Sequence, residues 1–254
     1  MRILVCVKRV PATGGQITLT ADERDIDSRF LGFTISPHEE CAVEEAVRIV
    51  EAQGGTTAVL TLGPESAADQ LRDAMAIGID RAILLETDGS DWDPGATATA
   101  ITDAIRDLEA SDGPFDLILF GNESADSGGF QVGIRVAVAL DRPCVTGAKG
   151  LVLDGGSATA RRQVADGWEE FDVELPAVIS LREGINLPRY PSVPGRLRAK
   201  RKEIDRVTPE RRPLGPELIR LSLPVERTAT AEILGTGPEA APRVVEILRE
   251  MGLL

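Results

Sequence analysis

The sequence predicts an α/β fold in which a mostly parallel sheet is covered by helices on both faces. Short apolar runs of strand length alternate with segments whose apolar residues recur every three or four positions, as in amphipathic helices. Strands and helices that alternate in this way are typical of right-handed crossover units. Beyond Ala139, runs of strand character are joined by Asp154-Gly-Gly and Asp166-Gly, and these turn sequences predict an antiparallel extension of the sheet.

Individual elements follow from local signals. Ser36-Pro37 marks a helix start, because serine can cap a helix and proline suits its first turn. The polar segment Ala12 to Phe33 alternates only weakly and predicts a loop or small hairpin. The predicted strands are Arg2 to Val7, Thr57 to Leu62, Ala82 to Leu85, Asp116 to Phe120, Gly150 to Leu153, Ser157 to Gln163, Glu169 to Glu174 and Ala177 to Leu181. The predicted helices are Pro37 to about Ala52, Ala67 to Ile77, Ala96 to Ala110, one that begins after Gly133, and Ala240 to Met251.

The chain divides into two expected parts, an α/β domain over residues 1–206 and a C-terminal arm over residues 207–254. Repeated prolines between Pro188 and Pro224 break this region into pieces too short to build a core of their own. The terminal helix carries an apolar stripe, formed by Val244, Val245, Ile247, Leu248 and Met251. Such a stripe has to be buried, either against the chain's own domain or against another chain.

Composition limits the classes of function. The chain has 254 residues, of which 43% are hydrophobic and 27% charged, and this suits one main globular domain with an appendage. A net charge of −13 disfavours nucleic-acid binding, because phosphate contacts need a basic surface. The basic run Arg196 to Lys202 is either a solvated surface segment or an interaction edge. No apolar run approaches the ~20 residues of a membrane helix and no secretory pattern is present, so we expect a cytoplasmic protein that is not membrane-embedded.

Cysteine and histidine usage excludes several kinds of site. Cys6, Cys41 and Cys144 show no C-x-x-C spacing, and an odd number of widely separated cysteines argues against a disulfide framework and a zinc site. We interpret them as small buried hydrophobic residues. The single histidine, His38, excludes a multi-histidine metal site, and it excludes a Ser-His-Asp triad unless His38 serves in it.

A polar, glycine-rich loop from Gly121 to Gly133 is the candidate binding site. It follows a buried strand and precedes a helix, so its backbone amides and the helix N-terminus can approach a phosphate group. Its spacing matches neither the Walker loop nor the dinucleotide fingerprint, and an ordinary strand-to-helix turn is the alternative. Ligands of parallel sheets bind at the carboxyl ends of the strands. The pieces expected to converge there are Val7 to Thr13, Ile35 to Glu39, Leu62 to Ser66 and this loop.

Several blocks, in order and at matching spacing, resemble the β subunit of electron transfer flavoprotein. They are RILVCVKRVP from Arg2, SPHEECAVEEAVRIVE from Ser36, LGP from Leu62, AIGIDRAILL from Ala76, the signature Arg162 to Ser180, and Asn186 to Pro194, which looks like the family's partner-recognition loop. The resemblance runs from Arg2 to about Ile204. It implies a Rossmann-like sheet of the adenine nucleotide hydrolase-like type, with an antiparallel extension and a C-terminal arm.

The resemblance also implies a function. Such a subunit forms a heterodimer with an α subunit and carries electrons from flavin dehydrogenases, such as acyl-CoA dehydrogenases, to a membrane-associated quinone oxidoreductase. It is an electron carrier rather than an enzyme, with FAD held mainly by the α subunit and a structural AMP in the β subunit. The implied cofactor contacts are Cys6, Ser36, Pro37, His38, Glu39, Leu62, Gly121, Asn122, Glu123, Ser124, Asp126, Ser127, Gly128, Gly129, Phe130, Gln131 and Val132. The implied partner contacts are Asn186, Pro188, Arg189, Tyr190, Val193 and Pro194, with Val193 as an apolar tip and the arm packed on the α subunit.

Some positions depart from the family's pattern and keep alternatives open. Thr13 stands where some members have a tyrosine near the flavin, and Gln163 replaces a frequent glutamate. For His38 there are two alternatives, a local hydrogen bond in the first turn of the helix or a role in proton transfer. Val132 resembles electron-bifurcating members, which hold a second FAD in place of AMP, whereas the bulky Phe130 does not. A non-redox nucleotide-binding module of the same fold is a third hypothesis.

Overall fold

The computed structural model describes residues 1–12, 14, 17–212, 215, 218–224 and 232–254. In chain order its strands are β1 (Arg2–Cys6), β2 (Val10–Pro11), β3 (Phe33–Thr34), β4 (Thr56–Gly63), β5 (Arg81–Glu86), β6 (Leu117–Gly121), β7 (Cys144–Asp154), β8 (Ser157–Val164), β9 (Gly167–Glu174), β10 (Ala177–Leu181) and β11 (Asp205–Val207). Within these residues nine strands form one sheet in the order β11-β5-β4-β1-β6-β10-β7-β8-β9. The first seven strands of that order run parallel, which confirms the predicted α/β class.

The longer helices of the described chain are α1 (Pro37–Gln53), α2 (Ala68–Ile77), α3 (Pro94–Asp112), α4 (Gln131–Ala139), α5 (Val193–Ala199) and α6 (Ala241–Glu250). The helices expected from the apolar periodicity are all present. The main difference is α4, which begins at Gln131 and so takes the last three residues of the predicted loop into its first turn. Gly133 allows this, because a Cβ there would come within 3.1 Å of the Phe120 ring and 3.2 Å of Ser180 Oγ.

The two faces of β1 belong to two separate apolar layers. Ile3 and Val5 pack in the layer that contains the buried residues of α1 and α2, whereas Leu4 and Cys6 pack in the layer that contains those of α3 and α4. Ile3, Leu4 and Val5 are fully buried. A strand covered on both faces has a continuous apolar sequence instead of an alternating one, and this explains the opening run of the chain.

The antiparallel extension is confirmed for β7, β8 and β9, which form a meander at one edge of the sheet. The prediction was wrong for the last of the four strands. Residues Ala177–Leu181 form β10, which lies between β6 and β7 and runs parallel to both. All five of its residues are buried, as a central parallel strand requires, whereas β9 is mostly exposed.

The predicted hairpin over residues 12–33 is present in reduced form. Val10–Pro11 pairs with Phe33–Thr34 in an antiparallel manner, and Leu19 forms a bridge with Ile26. Thr13, which stands where some relatives carry a tyrosine, lies outside the described residues.

The predicted arm, residues 207–254, starts at the last residue of β11, whose pairing with β5 extends the sheet by one parallel strand. None of the residues of α6 is buried, and Val244 and Met251 are 41% and 66% exposed. The apolar stripe is therefore not buried against the described residues of this domain. Pro213 and Pro216 of the predicted arm lie outside the described residues. Burial of the stripe on a partner stays a prediction.

The short helix α5 packs closely on α2. A Cβ at Gly195 would overlap the carbonyl oxygen of Ala76, so only glycine fits at this approach. Arg72 Nη1 donates to the carbonyl oxygen of Ala199 at 2.9 Å and satisfies an acceptor at the end of α5. The basic run Arg196 to Lys202, predicted as a surface segment or an interaction edge, thus begins within α5, which is anchored on α2.

Gly195→Ala should lower the free energy of unfolding by about 1–3 kcal/mol, the usual cost of overpacking, because α5 must move away from α2. Chemical denaturation measures this loss. Gly156→Ala is the matched control, since nothing lies within 4 Å of a Cβ built there. An equal loss in the two variants would contradict the close packing of α5 on α2.

Candidate functional site

The site lies where the strand order reverses. From β1 the chain adds β4 and β5 on one side and β6 on the other, so the carboxyl end of β1 is the topological switch point. Cys6 ends β1 and is in register with Leu60 on one side and Phe120 on the other. The predicted residues Cys6, Leu62 and Gly121 therefore meet at one edge of the sheet.

A buried carboxylate connects the elements that meet at this edge. Glu39 lies in the first turn of α1 and is 6% exposed. Its Oε1 accepts from the backbone N–H of Lys8 at 2.9 Å, and its Oε2 accepts from the backbone N–H of Ser36 at 2.9 Å. Glu39 thus holds the start of α1 against the segment that leaves β1.

Two further observations show how tight this junction is. A Cβ at Gly121 would lie 2.5 Å from Glu39 Cγ and 3.3 Å from His38 Cβ, so a glycine is required where β6 passes the start of α1. Burial raises the pKa of Glu39 to about 8, against the opposing effect of its hydrogen bonds to Ser36 and Lys8. Burial also raises the pKa of the Cys6 thiol, with a further contribution from Glu39, so Cys6 stays protonated and apolar in character.

The 121–130 loop, which joins β6 to α4, is fastened to this junction by polar contacts. Ser36 Oγ accepts from the backbone N–H of Ala125 at 2.9 Å. Lys8 Nζ lies 2.6 Å from Asp126 Oδ2 and 3.4 Å from Ser127 Oγ. Burial alone would raise the pKa of Asp126, but Lys8 holds it below its ordinary value. A cation therefore neutralises the carboxylate of the loop that leads into α4.

His38 makes long-range contacts instead of the local hydrogen bond considered above. Its Nδ1 accepts from the backbone N–H of Glu183 at 2.8 Å, and its Nε2 lies 3.2 Å from Glu123 Oε1. Because Nδ1 is an acceptor, the proton of the neutral ring is on Nε2 and is donated to Glu123. His38 thus bridges the loop after β6 and the segment after β10.

The loop and the first turn of α4 can bind an anion. Gly128 has a φ of +62°, and its N–H donates to the carbonyl oxygen of Ser124, which turns the chain toward α4. The first N–H groups of a helix have no partner within the helix and lie at its positive end. Gln131, Val132 and Gly133 supply these groups here, while Gly129 and Phe130 lie just before them.

A cavity of ≈ 230 Å³ adjoins the loop on the side of β10 and β7. Of the predicted site residues only Asn122 and Phe130 line it, so the cavity is a neighbour of the switch-point junction and not its centre. Arg162 and Gln163, from the block that resembles the family signature, also line it, together with four residues that the sequence did not indicate, Ile134, Thr146, Gly147 and Arg182. All six come from four different elements or loops, and no local pattern marks them as neighbours.

The predicted partner-binding residues fall into two groups. Asn186 and Arg189 hold the 183–193 segment on α1. Asn186 Nδ2 donates to Cys41 O at 2.9 Å and to Glu45 Oε2 at 2.8 Å, and Arg189 forms ion pairs with Glu44 and Glu51.

The second group is exposed to solvent. Tyr190 and Val193 are 95% and 72% exposed, and Leu187, which was not among the predicted contacts, is 91% exposed. Pro188 stands in the sequence between the exposed Leu187 and the anchored Arg189, and Pro194 lies in the first turn of α5. The predicted partner-recognition loop is thus a segment in which some side chains are anchored on α1 and others are exposed.

The described residues lack two features that would indicate another kind of site, a metal-binding cluster and a membrane-spanning helix. They contain no group of three or more histidine, cysteine, aspartate or glutamate side chains arranged to hold a metal ion. None of their helices is both long enough and apolar enough to span a membrane.

Comparison with known proteins decides the family. The family model described as the electron transfer flavoprotein domain matches residues 28–211. The Bacillus subtilis (strain 168) electron transfer flavoprotein subunit beta is 34% identical over 258 residues, covering 98% of each chain. This chain belongs to the electron transfer flavoprotein β-subunit family. Other members of the family include the Mycobacterium bovis subunit beta, 35% identical with 81% and 78% of the two chains covered, and the mitochondrial subunit beta of Oryza sativa subsp. indica, 36% identical with 83% of each covered.

The raised pKa of Glu39 predicts how stability depends on pH in this member of the electron transfer flavoprotein family. The unfolded chain loses the Glu39 proton near pH 4.5, whereas the folded chain keeps it to about pH 8. The unfolded state therefore binds fewer protons in this window, and the contribution of Glu39 to stability falls as pH rises through it. Glu39→Gln should be least stable relative to wild type near pH 5, and should recover by up to roughly 1.4 kcal/mol per pH unit toward pH 8.

Denaturant unfolding of both proteins at pH 5 and pH 8 tests this expectation. Glu51→Gln is the control, because hydrogen bonds from Arg189 hold the pKa of Glu51 below its ordinary value, so it titrates below this window. That variant should differ from wild type equally at both pH values. A Glu39→Gln difference that is constant with pH would show that Glu39 is ionised in the folded protein.

Proposed function

We propose that this chain is the β subunit of a heterodimer that carries electrons from flavin dehydrogenases, such as acyl-CoA dehydrogenases, to a membrane-associated quinone oxidoreductase. The observation that carries the proposal is the meeting of the family's cofactor-contact positions at one switch point, at the ends of β1, β4 and β6. The family membership supports the subunit assignment. The free state of Cys6, Cys41 and Cys144 suits a reducing compartment such as the cytoplasm.

AMP is the ligand that we propose for this site, and the residues present fit it. Backbone amides from Gly128 to Gln131 and the first turn of α4 would hold the phosphate. Backbone around Cys6 and Leu62 would hold the adenine. Lys8 offsets the charge of Asp126 beside the phosphate position, which an acidic loop needs in order to accept an anion.

FAD, held mainly by the α subunit, supplies the redox chemistry in this proposal. The residues of this chain would then provide a wall for the flavin and a surface for the dehydrogenases. We assign that surface to Leu187, Tyr190 and Val193, because they are exposed apolar or aromatic side chains on a segment anchored by its other residues. Because other residues already anchor this segment, partner binding costs side-chain freedom but little further ordering of the backbone.

An electron-bifurcating subunit with a second FAD is the second candidate. Val132 and the cavity beside the loop favour it, since a larger ligand would need space next to the phosphate position. The ring of Phe130 lines that cavity and is 54% exposed, so it would crowd an isoalloxazine group there. AMP is therefore the ligand that we favour.

Co-expression with a cognate α subunit should give a yellow heterodimer with one FAD and one AMP. The chain expressed without that subunit should carry no flavin. Denaturing the purified heterodimer and separating the released nucleotides by chromatography gives both counts. Two FAD and no AMP would favour the bifurcating subunit, and a heterodimer without FAD would exclude an electron carrier.

Docking and assembly should depend on different parts of the chain. Val193→Ala should slow electron transfer from a reduced dehydrogenase to the heterodimer several-fold while FAD content stays unchanged, because it removes an exposed apolar contact. Val152→Ala is the matched control, since Val152 is 63% exposed and lies on the distant β7–β8 hairpin. It should leave the rate unchanged.

Truncation before Pro209 should instead weaken the heterodimer, measured by analytical ultracentrifugation, because it removes the stripe on α6. Burying such a stripe contributes roughly 25 cal/mol per Å² of apolar surface. Release of flavin by Val193→Ala, or full assembly after truncation, would require the two assignments to be abandoned.

A further inference from the structure

The imidazole of His38 is the side-chain bridge between the 121–130 loop and the 183–193 segment. It receives the N–H of Glu183 on Nδ1 at 2.8 Å and donates from Nε2 to Glu123 at 3.2 Å. The His38 side chain is 15% exposed, and its Cβ lies beside Gly121, where an added Cβ would come within 3.3 Å of it. An imidazole that is hydrogen-bonded at both nitrogens can transmit a displacement of one partner to the other.

The two segments are also joined through the backbone and through α1. The N–H of Asn122, at the start of the loop, donates to the carbonyl oxygen of Leu181 at 2.9 Å, just before the 183–193 segment. Ser36, at the start of α1, receives the N–H of Ala125, while Glu44 and Glu45 further along α1 bind Arg189 and Asn186. The nucleotide loop and the exposed partner surface are therefore attached to the same helix.

Two of the three carboxylates on α1 that hold this segment are buried. Glu44 and Glu45 are 4% and 8% exposed, whereas the side chain of Glu51, the second partner of Arg189, is 57% exposed. Breaking the Arg189–Glu44 pair would therefore leave a buried carboxylate without its partner, which is costly. The 183–193 segment is thus anchored on α1 by Asn186 and Arg189, and His38 contacts it where it leaves β10.

We propose that His38 is a positioning residue through which occupancy of the nucleotide site orders the partner-docking segment. AMP bound to the 121–130 loop would fix Glu123, Glu123 would fix the imidazole, and the imidazole would hold the N–H of Glu183. Leu187, Tyr190 and Val193 then face the partner in one arrangement. Coupling of this kind is reciprocal, so a docked partner would also tighten AMP binding. The inference rests on the proposed function, because it takes AMP as the ligand.

Amide hydrogen exchange of the heterodimer, prepared with AMP removed and then saturated with AMP, tests the proposal. In wild type, AMP should slow exchange in residues 121–131 and also in residues 183–192, the latter by about five-fold or more, the lower end of coupling between sites. His38→Phe keeps a ring of similar size but loses both nitrogens. At saturating AMP it should show slowed exchange in residues 121–131 only.

Glu123→Gln is the conservative control, because the amide oxygen still accepts from His38 Nε2, and it should keep the slowing in residues 183–192. Should His38→Phe fail to fold, Glu123→Ala removes the same bridge and carries the same expectation. Slowing confined to residues 121–131 in wild type would overturn the coupling alone. Equal slowing of residues 183–192 in wild type and His38→Phe would overturn the role of His38. No slowing in either segment would overturn both the coupling and the AMP site.

Discussion

The arrangement of the site depends on one buried carboxyl group, that of Glu39. Its two oxygens receive N–H groups from opposite directions, one from the chain leaving β1 and one from the residue before α1. These donors come from the ends of two different elements, where backbone groups lack regular partners. Glu39 supplies both partners at once, and it lies against Gly121 at the end of β6. The elements around the switch point therefore keep their relative positions even though loops connect them.

Burying a carboxyl group in this place is costly, and the chain compensates in two ways. The raised pKa of Glu39 lets the group stay protonated at neutral pH, which avoids an unpaired buried charge. Asp126 differs from Glu39, because its ion pair with Lys8 lowers its pKa and favours the ionised form. Burial thus shifts Glu39 toward its neutral form while Lys8 pairs with Asp126, and both effects reduce the repulsion between the loop and a phosphate group.

The sequence was sufficient for what depends on local pattern. The parallel strands, the helices that cover them and the meander β7–β9 follow from periodicity and turn residues, and the convergence of Cys6, Leu62 and the loop follows from strand ends. The features that could not be predicted from the sequence depend on contacts between residues that are far apart in the chain. The insertion of β10 between β6 and β7 is a choice of pairing partner, and a five-residue strand that is apolar except for Ser180 fits the sequence pattern of either position. The contacts of His38 with Glu123 and Glu183 and the anchoring of Arg189 on Glu44 join residues 85 to 145 positions apart, and no spacing rule predicts them.

In the 183–193 segment some residues anchor the chain on α1, and residues next to them form an exposed surface. Asn186 and Arg189 are engaged with α1, whereas Leu187, Tyr190 and Val193 touch little of their own chain. Substitutions at the exposed positions therefore change the contact surface at little cost to folding, while substitutions at the anchors disturb buried carboxylates. A segment organised in this way can acquire a preference for a different protein partner by a few exchanges, without any change in the sheet, in α1 or in the loop that precedes α4.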